Sequence, residues 1–248
     1  DPVTFEVLRS LFEYACERMT DVLKRSSFSP ILSDMLDFSN AVYDADLQLL
    51  SQAANCPVHL AAMKFSAEAI ISKFGFDDVH EGDVFIVNDP FQGGTHIPDI
   101  TFIMPIFFKD AILGFAVSRG HWMDLGGGAA GGQSYGTHIA AEGLRLPPTK
   151  LYTDYKPNDQ IVDIILNNTR TPHFIKGDMQ AHFGALLAAE GELQRAAERY
   201  GADVLQVAMK ELQGYTERIV RKSIEAIPDG EYEAEDYADT DGFRKKIQ

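Results

Sequence analysis

The chain has 248 residues, 45% of them hydrophobic and 24% charged, with a formal net charge of −15. That length can bury a sizeable core as one large domain or two small ones, and the composition is that of a soluble globular protein. The negative balance argues against nucleic acid and anionic membrane as partners, because both repel it, and no stretch reaches the ~20 apolar residues that a membrane helix needs.

Asp1 can cap a helix and Pro2 suits the first helical position, so a helix is expected at once. Val3, Val7, Leu8, Leu11, Phe12, Ala15, Met19, Val22 and Leu23 keep the spacing of one helical face. The opening DPVTFEVLRS lacks the basic and apolar regions of a signal peptide, and the two cysteines, Cys16 and Cys56, form no CxxC pair. A reducing, cytoplasmic setting is expected, without a disulfide framework or a thiolate zinc site. After the polar break KRSSFSP, the stretch DFSNAVYDADLQLLSQA predicts two short strands around an Asp44–Asp46 turn. PVHLAAMKFSAEAIISKFG starts on a proline, repeats apolar residues at helical spacing and stops at Gly75, a glycine C-cap.

GDVFIVNDP is a short apolar run between turn residues and predicts a buried strand ending near Asn88. ITFIMPIFFKDAILGFAVSRGH holds two apolar runs about Lys109–Asp110 and reads as a β-hairpin, although Lys-Asp is not a favoured two-residue turn. Pro105 then belongs on an edge or at a bulge. DLGGGAAGGQSYGTH has no periodicity and reads as a loop. Beyond Pro147–Pro148 come three helical stretches: NDQIVDIILNNTR, GDMQAHFGALLAAEGELQRAAERYG and ADVLQVAMKELQGYTERIVRKSIEAI. EYEAEDYADTDGFRKKIQ starts like a strand. The expected fold is mixed α/β of the α+β kind. A sheet region with a β-hairpin and flanking helices fills residues 1–156, and a mainly helical region fills residues 157–248, continuing into a further C-terminal part.

His96 and Asp99 stand three residues apart at the mouth of the first hairpin strand. A turn centred on Lys109 and Asp110 puts His121 opposite Pro98, and directly opposed residues lie only ~4.5–5.5 Å apart. Pro98 interrupts the ladder, so a bulge can aim His96 and Asp99 at one point beside His121. Two imidazoles and a carboxylate are a recurring set for Zn²⁺, Mn²⁺ or Fe²⁺, with positions left for water or substrate. Hydrogen-bonded loop residues are the other reading. Asp37, at the entry of the first strand, is either a further ligand or a solvated cap. His59 reads as a partly buried, hydrogen-bonded histidine at a helix start. Asp89 is either the acceptor that fixes a ligand histidine's tautomer or a turn residue before Pro90. His80, His138, His173 and His182 have no ligand spacing, and Trp122 reads as packing. The glycine loop matches neither G-x-x-x-x-G-K-[ST] nor GxGxxG, so ATP is not expected on this chain, and no G-x-S-x-G elbow occurs.

DPVTFEVLR, DFSNAVYDAD, PVHLAAM, GDVFIVNDPFQGGTHIPD, SRGHWMDLGG, EGLRLPP and IPDGEYEAED, in this order, resemble the hydantoinase B family, over nearly the whole chain. That family takes in the B subunits of ATP-dependent N-methylhydantoinases, the matching half of 5-oxoprolinase, caprolactamase, and subunits of acetone and acetophenone carboxylases. The resemblance implies a divalent metal on His96, Asp99 and His121, with Asp37 able to complete the shell, and assigns the chemistry to those residues. It implies a hetero-oligomer with a hydantoinase A-type subunit that binds ATP and Mg²⁺ and phosphorylates a carbonyl oxygen of a small-molecule substrate. At the metal, the activated intermediate is either opened by water, as a cyclic amide, or carboxylated with bicarbonate, as a ketone. A reading of another class makes the chain a non-catalytic scaffold for the ATPase subunit.

Overall fold

The structure is a computed structural model that describes residues 1–132 and 137–235. It divides into two compact units, Asp1–Gln213 and Gly214–Gln248. In the first, α1 (Pro2–Ser26) begins under the Asp1 side chain, which accepts from the Val3 amide, and Pro2 takes the first turn as expected. After the short α2 (Pro30–Ser33), Leu36 adopts a left-handed backbone (φ 57°) and turns the chain into β1 (Phe38–Asp44). β2 (Leu49–Ala54) returns beside it across a turn that the Asp44 carboxylate closes by accepting from the Asp46 and Gln48 amides. α3 (Leu60–Phe74) ends at Gly75, and β3 (Val84–Val87) ends just before Asn88.

β4 (Asp99–Phe108) and β5 (Ala111–His121) form the hairpin, with Lys109 at φ 56° in its turn. A left-handed residue is what a tight hairpin requires, and this lets Lys-Asp serve. β6 (Thr149–Thr153) and β7 (Lys156–Pro157) extend the sheet, which the sequence pattern did not signal. The strand order is β2-β1-β5-β4-β3-β6-β7 and every neighbouring pair is antiparallel. The mixed α/β class expected from the sequence is the one observed.

Alternation along the strands builds two cores. Val42, Phe102, Met104 and Ala116 face α1 (Leu8, Phe12, Met19) and α5 (Pro172–Tyr200). Ala41, Tyr43, Ile103, Phe115 and Val117 face α3 through Met63, Ala67 and Ile70. α4 (Asp159–Asn167), α5 and the start of α6 (Ala202–Glu225) belong to the first unit, so the helical stretch after residue 157 shares a core with the sheet. In the second unit Arg221 pairs with Glu217 one helical turn before it. Residues 231–235 lie in no strand, contrary to the expectation for EYEAED. The remainder of that stretch and residues 133–136 of the glycine loop fall outside the described residues. No helix among the described residues is long and apolar enough to cross a membrane.

The hairpin register differs from the one that the turn alone implies. Phe107 pairs with Ile112, but Ile106 pairs with Gly114, so β5 carries one extra residue, Leu113, as a bulge. Every later pair moves by one, and His121 lies opposite Asp99 instead of Pro98. Pro105 does not sit in the bulge. It lies within β4 beyond the segment Thr101–Ile103 that pairs with β3, where its missing N–H deprives no ladder on that side.

Candidate metal centre

The centre forms where the open end of the hairpin meets the start of α3. Because Asp99 opposes His121, both side chains leave the sheet on the face that carries Val117 and Ile103, towards α3. His96 arrives by a tight turn: the Asp99 amide donates to the His96 carbonyl at 3.1 Å, and the Trp122 amide takes the Pro98 carbonyl at 2.9 Å. A turn, not the expected bulge, thus aims His96 at Asp99.

The turn is held by Asn88, fully buried, whose amide donates to the Ile97 carbonyl (2.7 Å) and the Leu144 carbonyl (3.0 Å) while its oxygen accepts from the Leu146 amide (2.6 Å). Asp89 is the turn residue of the two alternatives. Its carboxylate accepts from the Phe91 amide and from the Gln92 side chain, and it contacts no histidine of the centre among the described residues. Gly93, at φ 88°, lies so close to α3 that a Cβ there would stand 2.4 Å from the Phe65 carbonyl oxygen.

Asp99, 3% exposed, is the middle of the cluster. One oxygen lies 2.7 Å from His96 Nε2 and 3.2 Å from His121 Nδ1; the other accepts from Thr95 Oγ1 at 2.8 Å and lies 3.4 Å from His59 Nε2. Potential ligand atoms of His96, Asp99 and His121 all fall within 4.8 Å of one another. Burial by itself would raise the Asp99 pKa. The hydrogen bonds from His121, His59 and His96 outweigh burial and hold it well below the usual carboxylate range. The hydrogen bond to Asp99 raises the His96 pKa against the opposing effect of burial. His96 is half exposed and forms the open lip; His121 is mostly covered.

Asp37 stands beside this group without joining it directly. Its backbone carbonyl accepts from the His121 amide, and its carboxylate groups with Cys56 and His59 as a second set of potential ligand atoms within 4.8 Å. His59 joins the sets, with Nε2 3.7 Å from Asp37 and 3.4 Å from Asp99, while its buried Nδ1 has no hydrogen-bond partner among the described residues. The sequence reading left His59 out of the site. Its place is set by contacts distant in sequence: Ser39 Oγ donates to the Cys56 carbonyl, and the Cys56 amide donates to the Phe38 carbonyl, which pins the start of α3 onto β1.

The remaining histidines lie elsewhere. His182 is buried, bonded to Ser118 Oγ at 2.8 Å and stacked on Phe102. His138 caps its own short turn, His173 packs on Phe28, and His80 pairs with Asp83. Trp122 is core, its ring against Phe102.

A family profile described as hydantoinase B/oxoprolinase matches residues 1–248. The chain belongs to the hydantoinase B/oxoprolinase family. It is 34% identical to the caprolactamase subunit beta of Pseudomonas jessenii over 94% of its own length and 40% of that protein's. It is 29% identical to 5-oxoprolinase 1 of Arabidopsis thaliana over 92% of its length and 19% of that protein's. The crystal structure of the ATP-dependent caprolactamase from Pseudomonas jessenii superposes with a TM-score of 0.84 at 32% identity, covering 93% of this chain and 40% of that one. A nucleotide-free acetone carboxylase shares the fold, with a TM-score of 0.80 at 19% identity over 86% of this chain and 28% of that one. The family member described here thus spans 40% or less of each of these relatives.

Proposed function

We propose that this chain is the metal-bearing part of an ATP-dependent enzyme of the hydantoinase/oxoprolinase type, which opens a cyclic amide after a partner subunit has phosphorylated its carbonyl oxygen. The observation that supports this most is the convergence of His96, Asp99 and His121 within 4.8 Å around a buried carboxylate. The donor set fits a divalent ion. Two imidazoles are neutral ligands, Asp99 supplies compensating charge, and this combination suits Zn²⁺, Mn²⁺ or Fe²⁺. Asp37, in the adjoining set with Cys56 and His59, is the residue proposed to complete the shell by turning its carboxylate towards the ion.

When bound, such an ion polarises a carbonyl or phosphoryl oxygen and lowers the pKa of water towards ~7. The protein's own groups prepare the place. Thr95 Oγ1 and His59 Nε2 hold one oxygen of Asp99 and leave the other to face His96 and His121. Such outer contacts fix ligand orientation. The exposed side of His96 leaves substrate an approach from solvent. The ATP site is proposed to lie on a hydantoinase A-type subunit, a reading supported by similarity to a caprolactamase chain that is itself named as one subunit, beta. Both cysteines are free, which suits the cytoplasm.

The test is ATP turnover by the assembled complex with a panel of lactams, hydantoins and ketones, with and without bicarbonate. Water-dependent ring opening with no need for bicarbonate is expected. Carboxylation of acetone or acetophenone without any ring opening overturns the hydrolase reading in favour of a ketone carboxylase. Full activity of the partner subunit alone reduces this chain to a scaffold.

A further inference from the structure

Arg119 lies one alternation inside His121 on β5 and pairs in register with Thr101, just as His121 pairs with Asp99. It is fully buried, and no carboxylate among the described residues lies within ion-pairing distance of it. A guanidinium has five N–H donors in a fixed planar fork, and burying one without a counter-ion is costly unless the fork is used for something.

Two of the three guanidinium nitrogens reach three different segments of the centre. Nε donates to Thr101 Oγ1 at 2.7 Å, on β4, two residues from Asp99. One terminal nitrogen donates to Ser66 Oγ at 2.7 Å, on α3, two turns beyond His59, and to the Gly93 carbonyl at 3.4 Å, three residues before His96. Ser66 Oγ also donates to the Gly93 carbonyl at 2.5 Å, and the other terminal nitrogen has no hydrogen-bond partner among the described residues. The four segments that carry His59, His96, Asp99 and His121 meet at this one side chain.

We infer that Arg119 is a positioning residue for the metal centre, a cross-brace that sets the spacing of the α3, β4, β5 and 93–96 segments on which the ligand side chains ride. This rests on the metal reading proposed above. A lysine keeps the charge but is a point donor on a flexible stem, so it cannot hold Thr101 and Ser66 at fixed separation. An anion-binding role is disfavoured, because the side chain is fully covered.

The experiment uses the full-length protein with Co²⁺ as the probe, reading the visible absorption of the bound ion and its dissociation constant by chelator competition. Arg119→Lys is expected to weaken Co²⁺ binding about 10–100-fold, the usual effect of losing an outer contact, and to shift the absorption bands. Thr101→Val is expected to do the same, and Thr101→Ser, which keeps the hydroxyl, to restore wild-type values. Circular dichroism of the metal-free variants separates this from unfolding. If Arg119→Lys does not fold, the Thr101→Val and Thr101→Ser pair carries the test. Wild-type protein that binds Co²⁺ while these variants match it in affinity and spectrum overturns this inference alone. Wild-type protein that takes up no Co²⁺ overturns the metal reading and this inference with it.

Discussion

Replacing Asp99 by Asn changes one atom in the middle of the cluster and separates its two roles, metal-free organiser and charged ligand. The carboxylate is an acceptor with donors on both sides: Thr95 Oγ1 at 2.8 Å on one oxygen and His96 Nε2 at 2.7 Å on the other, with His121 and His59 somewhat farther. An amide keeps one acceptor and turns an NH₂ towards a donor on the other side. Losing a hydrogen bond to a charged group costs about 1.5–3 kcal/mol, and a buried donor without an acceptor costs a further ~1–3 kcal/mol. Metal-free D99N is therefore expected to be about 2.5–6 kcal/mol less stable than wild type at pH 7 in urea denaturation with chelator present. The pH dependence has a definite sign. The folded pKa of Asp99 lies below the unfolded value of 3.8, so its contribution is complete above that value and shrinks as pH falls below it. The gap between wild type and D99N should widen as pH falls through the His96 titration, because Asp99 raises that pKa, and then narrow below about pH 3.8 towards pH 3. Adding Zn²⁺ should then stabilise wild type by about 2.7 kcal/mol at a hundredfold excess over Kd, and D99N far less. Metal-free D99N within about 0.5 kcal/mol of wild type at pH 7 would refute the reasoning, because nothing would then depend on that acceptor.

Asn88→Ala should remove the three bonds that fasten the His96 turn and leave the Leu146 amide unpaired, costing about 2–4 kcal/mol in urea denaturation and roughly tenfold in Zn²⁺ affinity by chelator competition. Burial pushes the His182 pKa from 6.5 down to about 3, so the unfolded chain binds the extra proton between those values and stability rises as pH rises across that window. His182→Gln should remove about 1.4 kcal/mol per pH unit of that slope, measured by urea midpoints at pH 4.5 to 6.5. A Cβ at Gly120 would stand 2.9 Å from His182 and from Leu32, so Gly120→Ala should lower stability by about 1–3 kcal/mol in thermal unfolding through overpacking.

Much of this was legible because local rules agree with the fold. Asp1–Pro2 starts α1, Gly75 ends α3, and the two apolar runs around Lys109 become β4 and β5. Proximity of His121 to the HIPD segment follows from hairpin geometry alone. What stayed hidden was non-local. The Leu113 bulge decides that His121 faces Asp99, and no residue there advertises it, since Leu113 fits a regular strand equally well. His59 enters only because Ser39 and Phe38 fix the Cys56 backbone. Arg119, inside SRGHWMD, looks like an ordinary charged residue near a strand end; its burial depends on Thr101, Ser66 and Gly93, which come from three other segments. β6 was missed because TKLYT is too short for its pattern to stand out from the prolines before it.

The most direct measurement is elemental analysis of the full-length protein, purified without added metal, for wild type, His96→Ala and His121→Ala. About one divalent ion per chain is expected in wild type, with a substoichiometric amount in both variants. No metal in wild type, or an unchanged amount in either variant, would contradict a metal centre at these residues.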